Sequence, residues 1–174
     1  MTNSETNATT SSKPDCKSDS AATNAAENPG TLVVERIFPH PPAKLWRALT
    51  ESTLLAQWML NNDFEPEVGR RFQFRAEPKP NWNGVVDCEV LIVEPLRSLS
   101  YTWGVGDMHW VILWTLTPEE NGTHVRMEQS GFSPEQKANY QGAKWGWQKF
   151  FSSLEHILEQ VLDRVPENAG GRSK

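Results

Sequence analysis

The pair of residues most suggestive of acid–base chemistry is Asp107 and His109. A carboxylate near an imidazole can orient the ring for proton transfer, which is the basis of general acid–base catalysis. Both residues, however, lie in the segment GVGDMH between two predicted strands, where polar residues are typical of a turn. We therefore interpret the pair as the tip of a hairpin and assign no catalytic residue.

Metal or cofactor chemistry has no support in the motifs of the sequence. His, Cys, Asp and Glu do not recur with the spacing of a metal site. The sequence also contains no G-x-S-x-G elbow, P-loop or G-x-G-x-x-G fingerprint. The two cysteines, Cys16 and Cys88, offer neither a disulfide framework nor an evident nucleophile. We expect no metal and no cofactor, and the residues favour a non-catalytic protein while leaving an enzymatic role open.

Gln129 is a polar residue in an apolar position. In the segment THVRMEQS, alternation places Val125, Met127 and Gln129 on one face of a strand, with charged residues opposite. A polar side chain on an apolar face costs about 1–3 kcal/mol unless it is hydrogen-bonded. Two kinds of partner stay open: Tyr101 or a backbone group, and the carbonyl of a bound ligand.

Aromatic residues are concentrated in SYTWGVGDMHWVILWTL, residues 100–116, which holds three of the eight tryptophans. Alternation places Tyr101 and Trp103 on one face of the first strand, and Trp110 and Trp114 on one face of the second. Each ring can bury about 150–250 Å². Two interpretations stay open: the rings fill the core, or they line a cavity for a small molecule.

The elements that would position these residues begin with a strand, TLVVERIF (31–38), and two short helices in PHPPAKLWRALT and TESTLLAQWML. From Val68 the hydrophobic period changes to two, and five strands follow. In one of them, GVVDCEVLIVEP, alternation places Val86, Val90 and Ile92 on the same face. Short turn-like links between consecutive strands predict an antiparallel meander with one apolar face.

A long helix is predicted to follow the meander. The segment SPEQ has the spelling of a capping box, with Ser133 as N-cap, and the apolar residues that follow have helical spacing from Pro134 to Val165. Gly142 and Gly146 weaken the first half of this helix and are predicted points of bending. Trp145 lies off the apolar stripe and is expected to be exposed unless the helix begins later.

These elements predict an α+β fold of the order β-α-α-β5-α, in which a curved antiparallel sheet of about six strands wraps around the C-terminal helix. This domain spans residues 31–165, between a disordered Ser/Thr/Asn-rich tail (1–30) and a frayed C-terminal tail (166–174). Without a signal peptide or membrane span, we expect a cytoplasmic protein. Scattered basic residues and a net charge of −5 argue against a nucleic-acid partner.

Five segments in this order closely resemble the family of activator of heat-shock protein 90 ATPase homologues: ERIFPHPPAKLWRALTESTLLAQWM, VGRRFQF, EPLRSLSYTW, NGTHVRMEQSGF and GWQKFFSSLEHIL. The family belongs to the START-like (SRPBCC) superfamily, and the resemblance covers about residues 31–162. It implies the helix-grip fold, with an apolar cavity between the sheet and the long helix. Fold alone does not assign a function.

Eleven residues are predicted to line this cavity. Trp58 is placed there by the resemblance, and the others by their inward-facing positions on strands and helix. The predicted ligand-binding residues are Trp58, Phe72, Phe74, Tyr101, Trp103, Trp110, Trp114, Met127, Gln129, Trp147 and Phe151.

Three functions are compatible with the sequence. We favour a non-catalytic START-like domain that binds a small hydrophobic or amphipathic molecule, because inward-facing rings occur without a catalytic constellation. The resemblance implies a second possibility, a chaperone-associated protein-interaction domain, with a chaperone as partner. The third is an enzyme similar to polyketide cyclases and aromatases, for which Tyr101 and Gln129 are the inward-facing polar candidates.

Overall fold

The computed structural model describes residues 30–160. The elements follow in chain order as β1 (Thr31–Phe38), α1 (Pro42–Thr50), α2 (Ser52–Trp58), β2 (Asn61–Asn62), β3 (Arg71–Arg75), β4 (Val85–Glu94), β5 (Ser98–Val105), β6 (Met108–Glu119), β7 (Gly122–Ser130) and α3 (Lys137–Gln160). Apart from Gly30, the two predicted tails lie outside the described residues, as does the predicted helical stretch 161–165.

The strands form one antiparallel sheet in the order β1-β7-β6-β5-β4-β3-β2. Strands β2 to β7 pair with their neighbours in sequence, and β1 closes the far edge by pairing with β7, with Leu32 opposite Gln129. The sheet curls around α3, and this confirms the predicted α+β helix-grip architecture. The predicted number of strands was one too low, because β2 has only two residues, both asparagine, and such a segment has no hydrophobic period.

The inward position predicted for Ile92 was wrong. The register between β4 and β5 shifts between Val90 and Ile92, so Val90 is 1% exposed and Ile92 is 41% exposed. A β-bulge adds one residue to a strand and exchanges the faces of all residues beyond it. Val93 therefore packs against the core in the place predicted for Ile92.

Helix α3 begins at Lys137, three residues later than predicted. The capping-box residues still contact each other, but in a separate turn: the Ser133 N–H donates to Gln136 Oε1, and the Gln136 N–H donates to the Ser133 carbonyl, both at 3.0 Å. Gly142 and Gly146 lie within the continuous 24-residue helix. Trp145 is 66% exposed, as expected for its position off the apolar stripe.

Trp114 on β6 joins the sheet to two helices. Its ring packs edge-on against Trp58 of α2 at 5.9 Å between centroids and is stacked with Phe151 of α3 at 5.7 Å. Its indole N–H donates to the Tyr101 hydroxyl at 3.0 Å, so its polar atom is also satisfied inside the core. The side chain is fully buried. These contacts hold α3 against the sheet at Phe151. The N-terminal part of the helix, before Phe151, lies over the remaining part of the sheet.

Candidate functional site

A cavity of about 680 Å³ opens beneath the N-terminal half of α3. Its other walls are the β5–β6 hairpin and the loop between β3 and β4. Small-molecule sites commonly measure about 300–1,000 Å³ and have mostly apolar walls. The lining residues are Leu60, Ala76, Glu77, Lys79, Trp82, Val86, Trp103, Val105, Met108, Trp110, Gln129, Phe132, Asn139, Gly142, Ala143, Trp145, Gly146, Trp147, Lys149 and Phe150.

The eleven predicted ligand-binding residues divide into two groups. Four line this cavity: Trp103, Trp110, Gln129 and Trp147. The others do not contact it and contribute to the packed core: Trp58, Phe72, Phe74, Tyr101, Trp114, Met127 and Phe151. The division has a physical cause, because Trp58 of α2 covers Trp114 and closes that end of the curled sheet. A role in ligand binding stays a prediction for all eleven.

Several cavity residues were not predicted. Some lie in loops, where the sequence has no period, and others lie on α3 and on the strands β4 to β6. Trp82 is in the loop between β3 and β4, which folds back through two backbone hydrogen bonds between Lys79 and Trp82, at 2.8 and 3.0 Å. The Trp82 indole N–H donates to the Val85 carbonyl at 3.0 Å, which holds its ring at the cavity. The two glycines of α3, Gly142 and Gly146, were recognised only as weak points of the helix. Their spacing of four residues places them on one face of the helix, and this spacing is the sequence feature that could have identified them as cavity residues.

Gln129 and Trp147 form the polar contact at the inner wall. The Trp147 indole N–H donates to Gln129 Oε1 at 2.6 Å, and both residues are buried. Because an indole N–H can only donate, this bond fixes the amide oxygen toward Trp147. The amide nitrogen, Nε2, has no hydrogen-bond partner among residues 30–160. The expected partners, Tyr101 or a backbone group, were therefore wrong, and the amide presents an unused donor.

Trp110 also has an indole N–H without a partner among the described residues, but this group is fully buried. Its ring packs against Phe132 with 5.3 Å between centroids, and both rings line the cavity. Its indole Nε1 is the one side-chain nitrogen or oxygen of residues 30–160 that has neither accessible surface nor a hydrogen-bond partner. An unsatisfied buried donor costs about 1–3 kcal/mol. The donor that the inner wall presents to the cavity is therefore the amide N–H of Gln129.

Tyr101 is not available at this cavity. Its hydroxyl accepts the hydrogen bond from Trp114, and the side chain is 1% exposed. Burial raises the pKa of this phenol far above its ordinary value, so the hydroxyl stays protonated. Tyr101 therefore cannot serve as a base toward a molecule in the cavity.

Asp107 lies in the turn between β5 and β6, as predicted, and His109 is the second residue of β6; neither lines the main cavity. His109 lines a separate polar groove on the outer face of the sheet, together with Asp87 and Cys88. Burial and, secondarily, the charge of Asp87 raise the pKa of the Cys88 thiol well above its ordinary value, so the thiolate nucleophile is disfavoured. Within residues 30–160, no group of His, Cys, Asp and Glu could hold a metal ion.

Within the described part of the chain, no helix is long and apolar enough to cross a bilayer.

A curled antiparallel sheet that holds a long C-terminal helix above an apolar cavity defines the START-like (SRPBCC) class of proteins. Within that class, the family model described as Activator of Hsp90 ATPase homolog 1-like protein matches residues 39–159. The chain belongs to this family, which confirms the resemblance found in the sequence.

Solved structures include close relatives of the fold. Protein MLL2253 from Mesorhizobium loti is 52% identical, with a TM-score of 0.71 over 75% of this chain and 98% of that one. Bacillus halodurans protein BH1534 is 28% identical, with a TM-score of 0.63 over 74% of this chain and 99% of that one. DynU16, a protein of the dynemicin biosynthetic locus, is 25% identical with a TM-score of 0.63, over 75% of this chain but 48% of its own. No curated protein matched the chain.

Proposed function

We propose that this protein binds a small hydrophobic or amphipathic molecule in the cavity between α3 and the sheet, and that it does so without catalysing a reaction. The observation that carries the proposal is an aromatic cavity of about 680 Å³ whose wall holds the amide N–H of Gln129, unpaired in the described part of the chain. The family name offers a chaperone interaction as the alternative, but no feature of residues 30–160 specifically favours it.

The wall provides both parts of a binding site. Trp103, Trp147 and Phe150 supply ring surfaces that pack against each other, with centroids 5.4 and 5.5 Å apart. Burying apolar ligand surface against such rings contributes about 25 cal/mol per Å². Gln129 Nε2 adds a donor whose direction is fixed by Trp147, and such a fixed polar group orients a ligand. A carbonyl or similar acceptor would pair with it.

A catalytic function would need an ionisable group inside the cavity. The ionisable residues that line it are Glu77, Lys79 and Lys149, and all three are exposed at its opening. The inner polar residue is Gln129, whose amide does not ionise near neutral pH and so does not act as an acid or a base. Tyr101, the remaining candidate for a cyclase-like reaction, lies in the core. These placements support ligand binding over proton transfer.

The proposed function is tested with N-phenylnaphthylamine, an uncharged apolar probe whose fluorescence rises on leaving water. We expect wild-type protein to bind it with a Kd of about 10–200 μM, the range that drug-sized ligand efficiencies give for so small a molecule. Acetylnaphthalene and ethylnaphthalene are then used to displace the bound probe. The two competitors differ only in that acetylnaphthalene has a carbonyl group where ethylnaphthalene has a methylene. Gln129→Met is expected to weaken the ketone about fivefold, since one hydrogen bond contributes about 1 kcal/mol.

The hydrocarbon and the uncharged probe serve as internal controls for this variant. Both should bind Gln129→Met within about twofold of wild type, because their contacts are with rings and not with the amide. Absence of any probe binding to wild-type protein would refute the proposed function. Equal loss of ketone and hydrocarbon would instead assign Gln129 a purely structural role toward Trp147.

A further inference from the structure

Within residues 30–160, two lysines at the opening of the cavity have no ion-pair partner. Lys79 belongs to the loop between β3 and β4, and Lys149 belongs to α3; both line the cavity and are exposed. Neither takes part in an ion pair within residues 30–160. By contrast, arginines elsewhere on the surface are paired with glutamates: Arg36, Arg47, Arg70, Arg71 and Arg126.

Lys149 is held beside the opening by an aromatic contact. Its ammonium lies 4.9 Å from the centroid of the Trp145 ring, which also lines the cavity. A cation over an indole face is attracted by about 0.5–1 kcal/mol at an exposed site. This contact restricts the flexible side chain without neutralising its charge, so the positive group stays available to a ligand.

The opening is positive although the chain is acidic. Among the described residues, Glu77 is the one acidic residue that lines the cavity, against the ammonium groups of Lys79 and Lys149. The whole chain carries a net charge of −5, so this local sign is opposite to that of the molecule. A positive opening around an apolar, weakly hydrated cavity concentrates anions and disfavours cations.

We propose that the ligand is an amphipathic anion. Its apolar body lies against Trp103 and Trp147, and its carboxylate, sulfonate or similar charged group stays at the opening beside Lys79 and Lys149. The orientation follows from the placement of the charges, because the inner wall offers the neutral donor of Gln129, whereas both ammonium groups are exposed. This inference rests on the proposed function and specifies the ligand class of the same cavity.

A pair of probes that differ by one charged group tests the inference. N-phenylnaphthylamine is the uncharged form, and anilinonaphthalene sulfonate adds an anionic sulfonate to the same ring scaffold. In the variant Lys79→Gln/Lys149→Gln, we expect the affinity for the sulfonate to fall about fivefold, the combined effect of two partly exposed ion pairs. The affinity for the uncharged probe should stay within about twofold of wild type, because its contacts are with the rings.

The matched control is Lys137→Gln/Lys144→Gln. It removes the same two positive charges from exposed positions of α3 that do not line the cavity. Unchanged sulfonate affinity in this control, with the fivefold loss at the opening, supports the inference. Equal losses in both variants, or no loss in Lys79→Gln/Lys149→Gln, would overturn it while leaving the proposed function intact. Failure of the uncharged probe to bind wild-type protein would remove the proposed function and this inference together.

Discussion

Replacing Trp114 with alanine is expected to lower the free energy of unfolding by about 3–5 kcal/mol, the usual cost of truncating a large buried aromatic side chain. The ring joins three elements, since it contacts Trp58 of α2 and Phe151 of α3 from its position on β6. Its removal would also eliminate the indole N–H that now donates a hydrogen bond to the Tyr101 hydroxyl. Urea denaturation followed by circular dichroism measures the change.

The control for this substitution is Trp145→Ala, which removes the same type of side chain from a site that is 66% exposed. We expect that variant to change stability by no more than about 1 kcal/mol, because it loses the exposed contact with Lys149 and no buried packing. The contrast between the two variants separates burial from residue type. A loss below about 1 kcal/mol for Trp114→Ala would show that the ring does not connect sheet and helices as described.

Filling the cavity from α3 is expected to remove probe binding. A Cβ atom added at Gly142 or Gly146 would meet no atom within 4 Å, and both glycines line the cavity. In the variant Gly142→Leu/Gly146→Phe, the new side chains therefore occupy space that a ligand would need. We expect the affinity for N-phenylnaphthylamine to fall at least about tenfold, since the ring contacts that hold the probe are lost.

The variant Gly142→Ala/Gly146→Ala provides the control, because it adds two methyl groups without filling the cavity. Alanine is favoured over glycine inside a helix, so each change should stabilise the fold by about 0.5–1 kcal/mol. Probe affinity should stay within about twofold of wild type. A folded Gly142→Leu/Gly146→Phe variant that binds the probe as tightly as wild type would place the binding site elsewhere.

The sequence predicted the elements of this fold because the periods of its apolar residues are clear. Alternation located β3 to β7, and it assigned Trp114, Met127 and Tyr101 correctly to the inner face. It failed at Ile92, since a β-bulge depends on the pairing of two strands and leaves no mark in the period of one. The two-residue strand β2 was too short to show a period at all.

The site was predicted less completely, for a different reason. Alternation identifies the face of a residue but not its depth, so it could not separate Trp103, which lines the cavity, from Trp114, which α2 covers. The hydrogen-bond partner of Gln129 could not be predicted from the sequence either. Trp147 lies on α3, and only the packing of this helix on the sheet determines which side chains meet. Lys79 and Trp82 lie in a loop, where only the tertiary structure shows what they face.

The proposed ligand enters the cavity beneath the N-terminal half of α3. Nitrogen–proton correlation NMR of the eight tryptophan indole groups, recorded during titration with N-phenylnaphthylamine, tests this most directly. The indoles that line the cavity are expected to shift, and they are Trp82, Trp103, Trp110, Trp145 and Trp147. The indoles outside it should stay nearly unchanged, and they are Trp46, Trp58 and Trp114. Shifts confined to this second group, or no shifts at a saturating concentration of the probe, would contradict this placement of the ligand.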